Sequence, residues 1–176
     1  VLDAYQGIFD EILIVADTVE PFTSLGARVV ADLIPGRATL GGLYTGLHYA
    51  AGEQVFAAAA DMPWINPAAI RLVLDQAAAG DIVIPNVEGQ LQPMHAVYAK
   101  ACLPSLRTLV EAGTLKVQDL CNSPGLRVHQ IPQSAFTAVD PELRSFFNIN
   151  TPDDLARAKK WIGELGGMHC ITRCFL

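Results

Sequence analysis

The most constraining segment of this chain is the run 54–60, Gln-Val-Phe-Ala-Ala-Ala-Ala, which stops at Asp61 and continues as Met62-Pro63-Trp64. An apolar run without charge, ended abruptly by one carboxylate, reads as a strand buried on both faces of a parallel sheet. Parallel strands need crossover helices, so the rest of the chain has to alternate strand and helix. Open α/β sheets bind ligands beyond the carboxyl ends of their strands, and there the hard oxygen of Asp61 suits Mg²⁺ and a phosphate-bearing substrate. The alternative role for Asp61 is to cap the helix starting near Pro67, or simply to end the strand.

The alternation is present. Residues 1–9 carry apolar positions on one helical face, 11–16 read as a strand, and 27–31 as a short strand ending at Asp32. A loop over 33–40 leads to a helix over 41–51, and a helix over 67–79 follows the Asp61 run, with Gly80 as its stop. Strands are predicted over 81–85 and 94–98 around a polar turn at 86–92, and again over 127–131 and 146–149. Between them lie a helix over 103–112 ended by Gly113, a short helical piece over 115–120 and a loop over 141–147. Thr151 caps a final helix over 152–165, with Pro152 in its first position and Asp153 and Asp154 in its first turn. The expected architecture is an α/β three-layer αβα sandwich with a mainly parallel, Rossmann-like sheet.

With 176 residues, 51% of them hydrophobic, the chain supplies one core and is read as a single domain over 1–165. Gly166-Gly167 ends the helical pattern, and 166–176 is read as a flexible tail. A formal charge of -6 with no basic block argues against nucleic acid as a partner. No apolar stretch is long enough for a bilayer and no signal peptide opens the chain, so no membrane association and a cytoplasmic location are expected. The cysteines show no CxxC pair, and His169, Cys170 and Cys174 in the tail are taken as incidental. No Ser-His-Asp or Cys-His nucleophile pattern is visible; His48 and His95 lie on apolar-rich elements and are expected to be packed.

A first cluster is formed by Asp32, Gly36, Gly41, Gly42, Gly46 and Asp61. Two carboxylates end neighbouring strand patterns and can share one crevice, and Gly41-Gly42 at a helix start permits close approach of backbone to a ligand. Tight helix–strand packing is the competing explanation for the glycines. Along the chain, Asp32, Pro35-Gly36, Leu40-Gly41-Gly42-Leu43, Asp61-Met62-Pro63, Gln92-Pro93-Met94-His95-Ala96-Val97-Tyr98 and Phe147-Asn148-Ile149-Asn150-Thr151-Pro152-Asp153-Asp154-Leu155 follow in order. Together they resemble the molybdenum cofactor guanylyltransferases, MobA-like members of the nucleotidyltransferase fold that sugar-nucleotide and cytidylyl transferases share.

The resemblance implies transfer of GMP from GTP to molybdopterin or molybdenum cofactor, with Mg²⁺ as cofactor and pyrophosphate as leaving group. It also implies molybdoenzymes or their chaperones as recipients of the product. By the same resemblance Asp61 is the Mg²⁺-binding and catalytic aspartate, Asn148 and Asn150 close the site, and Asp32, Leu40, Gly41 and Gly42 face the nucleotide. Gln92, Pro93, Lys116 and Asn150 are implied on the acceptor side. Such a reaction needs positioning and charge neutralisation at phosphorus, and no protein nucleophile.

The chain also departs from the family. The family begins with a strand and a glycine-rich loop carrying Arg and Lys; no Gly-Gly-x-x-x-Arg-x-Gly segment occurs here and no lysine precedes Lys100. An absent first strand is therefore expected, with weak activity and a tendency to associate. Alternative readings are a sibling cytidylyl- or sugar-nucleotidyltransferase and a non-catalytic nucleotide-binding module that lost the triphosphate loop. A nicotinamide dehydrogenase is disfavoured because no GxGxxG follows the first strand.

Overall fold

The computed structural model describes residues 2–164, so the tail read from 166 onward, with His169, Cys170 and Cys174, lies outside the described residues. α1 (Leu2–Gln6) leads to β1 (Leu13–Ala16), which pairs in parallel with β2 (Arg28–Ala31). α2 (Ala38–Tyr49) crosses to β3 (Gln54–Ala58), and α3 (Pro67–Leu74) crosses to β4 (Ile82–Val87). The short β5 (Gln90–Leu91) leads into β6 (His95–Ala99); α4 (Leu103–Glu111), β7 (Val128–Pro132), α5 (Gln133–Phe136) and α6 (Pro152–Glu164) follow.

β6 lies between β3 and β4, antiparallel to both, while β7 runs parallel to β4. β3, β4 and β7 thus share one direction, and β5 and β6 are reversed. The reversal has a local cause. Glu88 and Gly89 both have positive φ, 53° and 76°, as a two-residue hairpin turn requires, and a hairpin can only return the chain antiparallel. The expected strand over 54–60 is therefore β3, but its hydrogen-bonded partner is antiparallel, in the register Ala58↔His95. Of its residues only Ala57 is buried.

Helices cover both faces of the sheet. On one, Leu40, Leu43 and Leu47 of α2 and Leu106 and Val110 of α4 pack on Ile82, Ile84 and Tyr98. On the other, Ala69 and Val73 of α3 and Phe136 of α5 pack on Val83, Val97 and Ile131. Among the described residues no strand pairing joins β1–β2 to the five-stranded sheet. α2 bridges the two. Its Gly46 stands over β1, where a Cβ would lie 3.8 Å from Val15 Cγ2. Among the described residues no helix is long and apolar enough to cross a membrane.

Two predicted boundaries move for identifiable reasons. Residues 146–149 form no strand: Asp140, a buried carboxylate, accepts from the backbone of Arg144 (3.2 Å) and Ser145 (2.8 Å), which curls the chain into a 3-10 turn, Arg144–Phe146. Among the described residues one main-chain bond joins this stretch to a neighbouring segment, Ile149 N–H to the Asp61 carbonyl at 2.9 Å. The helix predicted from residue 41 starts instead at Ala38, whose φ of 46° is left-handed. A non-glycine residue pays about 1 kcal/mol for that conformation. Ala38→Gly is therefore expected to raise stability by about 0.5 kcal/mol after the glycine's greater chain entropy is subtracted. A urea melt whose midpoint fails to rise would contradict the assigned strain.

Candidate active site

The Asp32 side of the candidate site is built at the end of β2. Asp32 N–H continues the ladder to the Ala16 carbonyl at 3.0 Å. Its Oδ1 accepts from the buried Thr45 hydroxyl at 2.7 Å and from Ile34 N–H at 3.0 Å, while the same hydroxyl accepts from Leu33 N–H. One carboxylate oxygen thus staples the 33–37 loop to α2. The other, Oδ2, makes no hydrogen bond to the described residues and is free for a ligand.

The glycine pair divides. A Cβ on Gly41 would come 2.8 Å from the Ile34 carbonyl and 3.1 Å from Asp32 Oδ2, so close packing of the loop on α2 accounts for this glycine. Gly42 meets nothing within 4 Å and is the member of the pair with open space beside it. Both lie inside the helix and do not open it. Leu40 is fully buried and Leu43 is 5% exposed, so their side chains belong to the core, and only main chain from this turn can face a nucleotide.

The Asp61 side of the candidate site is built beyond β3. The register Ala58↔His95 puts the carboxyl end of β3 beside the start of β6, so Asp61 and Gln92-Pro93 share one edge of the sheet. Asp61 Oδ1 is buried and has no hydrogen-bond partner among the described residues. The Ile149 bond to the Asp61 carbonyl brings Asn148 and Asn150, both exposed, to this turn. Neither asparagine side chain bonds to a described residue. The segment is anchored just downstream by a reciprocal cap, in which Asp154 N–H donates to Thr151 Oγ1 (3.1 Å) and Thr151 N–H donates to Asp154 Oδ2 (3.0 Å). Hydrogen bonds from the Thr151 side chain and from the backbone of Asn150 and Thr151, with Arg157 nearby, hold the Asp154 carboxyl below its ordinary pKa.

Of the residues implied on the acceptor side, Gln92 N–H donates to the Pro85 carbonyl (2.9 Å) and the Pro93 carbonyl accepts from Tyr98 Oη–H (2.9 Å). Lys116 lies elsewhere. It is exposed at the start of a 3-10 turn, Val117–Asn122, three residues beyond Gly113, and no contact among the described residues links it to Gln92 or Pro93. Gly113 itself has φ of 80°, and a Cβ there would lie 3.5 Å from Arg37 Nη1.

Arg37 is the cation that sequence reasoning passed over. It is half-buried in the Asp32 loop, and its side chain has no hydrogen bond or ion pair with the described residues. The signal was available: Arg37 is the one Lys or Arg between Arg28 and Arg71. The histidines behave unequally. His95 is packed as expected, ringed by Phe56, Phe136 and Phe146, and burial pushes its pKa down to about 4. His48 is exposed and stacks on Tyr44.

Residues 1–126 match the family model described as MobA-like NTP transferase domain. The chain is 34% identical to a probable molybdenum cofactor guanylyltransferase of Natranaerobius thermophilus, over 93% of this chain and 82% of that one. It is 35% identical to a probable molybdenum cofactor guanylyltransferase of Pelotomaculum thermopropionicum, over 86% and 73%. Among solved structures it is similar to molybdopterin-guanine dinucleotide biosynthesis protein A of Archaeoglobus fulgidus, with a TM-score of 0.77 and 26% identity over 93% of this chain and 85% of that one. A 2-C-methyl-D-erythritol 4-phosphate cytidylyltransferase of Thermus thermophilus shares the fold, with a TM-score of 0.69 and 17% identity over 92% and 86%. A matched domain model over most of the chain and relatives covered over most of their length converge with strand ends that carry Asp32 and, in the five-stranded sheet, Asp61 bound to the 148–150 segment: the chain belongs to the MobA-like NTP transferase family, a family of nucleotidyltransferases.

Proposed function

We propose that this chain transfers GMP from GTP to the phosphate of molybdopterin or its molybdenum-loaded form and releases pyrophosphate. The observation that carries the reading is the buried, partnerless Oδ1 of Asp61, at the carboxyl end of β3 and joined through its own carbonyl to the segment bearing Asn148 and Asn150. A carboxylate oxygen kept from water without a donor is destabilising unless a cation or donor completes it. No group of three or more His, Cys, Asp or Glu among the described residues could hold a metal. A site with one carboxylate fits Mg²⁺, which keeps its waters and takes its remaining ligands from substrate phosphates. Bound there, Mg²⁺ would neutralise charge on the triphosphate.

The chain's own residues supply the rest. The free Oδ2 of Asp32 and the main chain at Gly42 face the nucleoside, Arg37 offers its guanidinium to the same ligand, and Asn150 orients the acceptor phosphate with an amide that both donates and accepts. Gln92, Pro93 and Asn148 border the acceptor side. The names of the relatives support guanine as the base and molybdenum cofactor as the acceptor.

The decisive experiment follows pyrophosphate release by the full-length protein with molybdopterin and each nucleoside triphosphate in turn. Release with GTP at least about tenfold above the others is expected, that ratio being about 1.4 kcal/mol of discrimination. Release with CTP instead would make the protein a sibling cytidylyltransferase, and GTP binding without release would make it a nucleotide-binding module. In the same assay Asn150→Asp should raise the acceptor KM by roughly tenfold and leave the GTP KM within about twofold, because it sets a negative charge against an acceptor phosphate. Equal loss in both titrations would remove Asn150 from the acceptor side.

A further inference from the structure

Behind the Asp61 turn lies a cavity of about 10 Å³, close to the space one water molecule needs. Its wall includes Trp64, His95 and Ser145. Each of the three carries a buried polar atom without a hydrogen-bond partner among the described residues: Trp64 Nε1, His95 Nε2 and Ser145 Oγ. His95 and Ser145 are only 5% and 2% exposed.

The three atoms are chemically complementary. Burial keeps the His95 ring neutral and the Ala69 backbone favours a proton on the ring, so with Nε2 the nitrogen without a partner among the described residues, Nδ1 is assigned the proton and Nε2 the lone pair. The indole of Trp64 can only donate, and the hydroxyl of Ser145 does either. A single water in the cavity would donate to His95 Nε2, accept from Trp64 Nε1–H and pair with Ser145 Oγ, the three bonds usual for a buried water. Ser145 is fixed in place, because its N–H donates to Asp140 Oδ2 at 2.8 Å and the neighbouring Phe146 ring lies 4.9 Å from the His95 ring.

We propose that a single water is bound in this cavity by His95, Ser145 and Trp64, and that it ties β6, the Asp61 turn and the 144–150 segment into one unit. His95 and Ser145 are then positioning residues for Asp61 and Asn150. That positioning role rests on the nucleotidyl-transfer reading, whereas the water site does not.

The test has two arms on the full-length protein. In ¹⁵N-histidine spectra His95 is expected as the Nδ1–H tautomer with Nε2 accepting a hydrogen bond, and the Trp64 indole proton is expected to show a cross-peak to a long-lived water. An Nε2–H tautomer, or no such cross-peak, overturns the site whatever the enzyme does. In the transfer assay Ser145→Ala is expected to raise the Mg²⁺ concentration for half-maximal rate by roughly three- to tenfold, as loss of a supporting hydrogen bond behind a metal ligand does, with the GTP KM unchanged. Unchanged Mg²⁺ dependence, or parallel loss of Mg²⁺ and GTP affinity, overturns the positioning role. Absence of transfer in the parent protein removes the reaction reading while the spectra still decide the water site.

Discussion

Asp61→Ala should lower turnover by about 10²-fold or more at saturating Mg²⁺ and GTP, equivalent to roughly 2.7 kcal/mol of lost transition-state stabilisation. The fold should be untouched. Asp61 serves the structure through its carbonyl, which receives the Ile149 N–H and survives the substitution, whereas its Oδ1 bonds to none of the described residues. Removing a buried oxygen that has no partner takes away a desolvation penalty, so the melting temperature is expected to stay level or rise. Asp61→Asn separates charge from shape and should resemble the alanine variant in rate. Near-normal turnover in either variant would remove Asp61 from the metal site, and a marked fall in melting temperature would make it a structural residue.

The second large effect is on stability. Gly80 precedes β4, where a Cβ would lie 2.7 Å from the Arg127 carbonyl, 2.9 Å from the Ile82 carbonyl and 3.2 Å from His129 N. All three are main chain. The Arg127 carbonyl already accepts from Asp81 N–H (2.8 Å) and Ile82 N–H (3.1 Å), the bonds that open the β4–β7 ladder. Gly80 itself has φ of -162°, which any residue adopts, so the problem is space and not backbone strain. Gly80→Ala has to displace β7 from β4 and is expected to destabilise by about 2–4 kcal/mol, at the upper end of overpacking changes. Chemical denaturation reads this directly; a loss under about 1 kcal/mol would show that the strands separate more easily than their bonding suggests.

The adjacent ion pair does not offset that loss. Arg127 contacts Asp81 at 3.2 Å, and hydrogen bonds from the Arg127 side chain and backbone hold the Asp81 carboxyl below its ordinary pKa. The arginine is exposed, and water screens such pairs.

How much of the site was legible depends on the residue. The position of Asp61 beyond β3 was readable because an apolar run has to stop at the sheet edge and a carboxylate there stands out against its neighbours. Thr151 was readable as a cap because the cap and its Asp154 partner are three residues apart, within the reach of local pattern. Gly41 was half-readable: glycine at that position signalled a close approach, but whether to a ligand or to Ile34 is decided by where the loop folds. Leu40 drew attention through its place in a family motif, and its side chain turns out to fill the core. Arg37 and the Trp64–His95–Ser145 group were not read, since each acquires meaning only from segments distant in sequence.

By itself the sequence determined the alternation of strand and helix, the two faces of a layered α/β core, and the presence of carboxylates at strand ends. These follow from side-chain period and from the residues that start or stop an element, which act over a few positions of chain. The tertiary structure alone decided that β6 enters between β3 and β4, that Ile149 reaches the Asp61 carbonyl, and that Gly113 approaches Arg37. Each of those pairings joins segments separated by tens of residues, and its free energy depends on closing the intervening chain and packing everything between. Periodicity carries no information about that choice, because the same apolar face can be buried against several partners and only the complete core selects one.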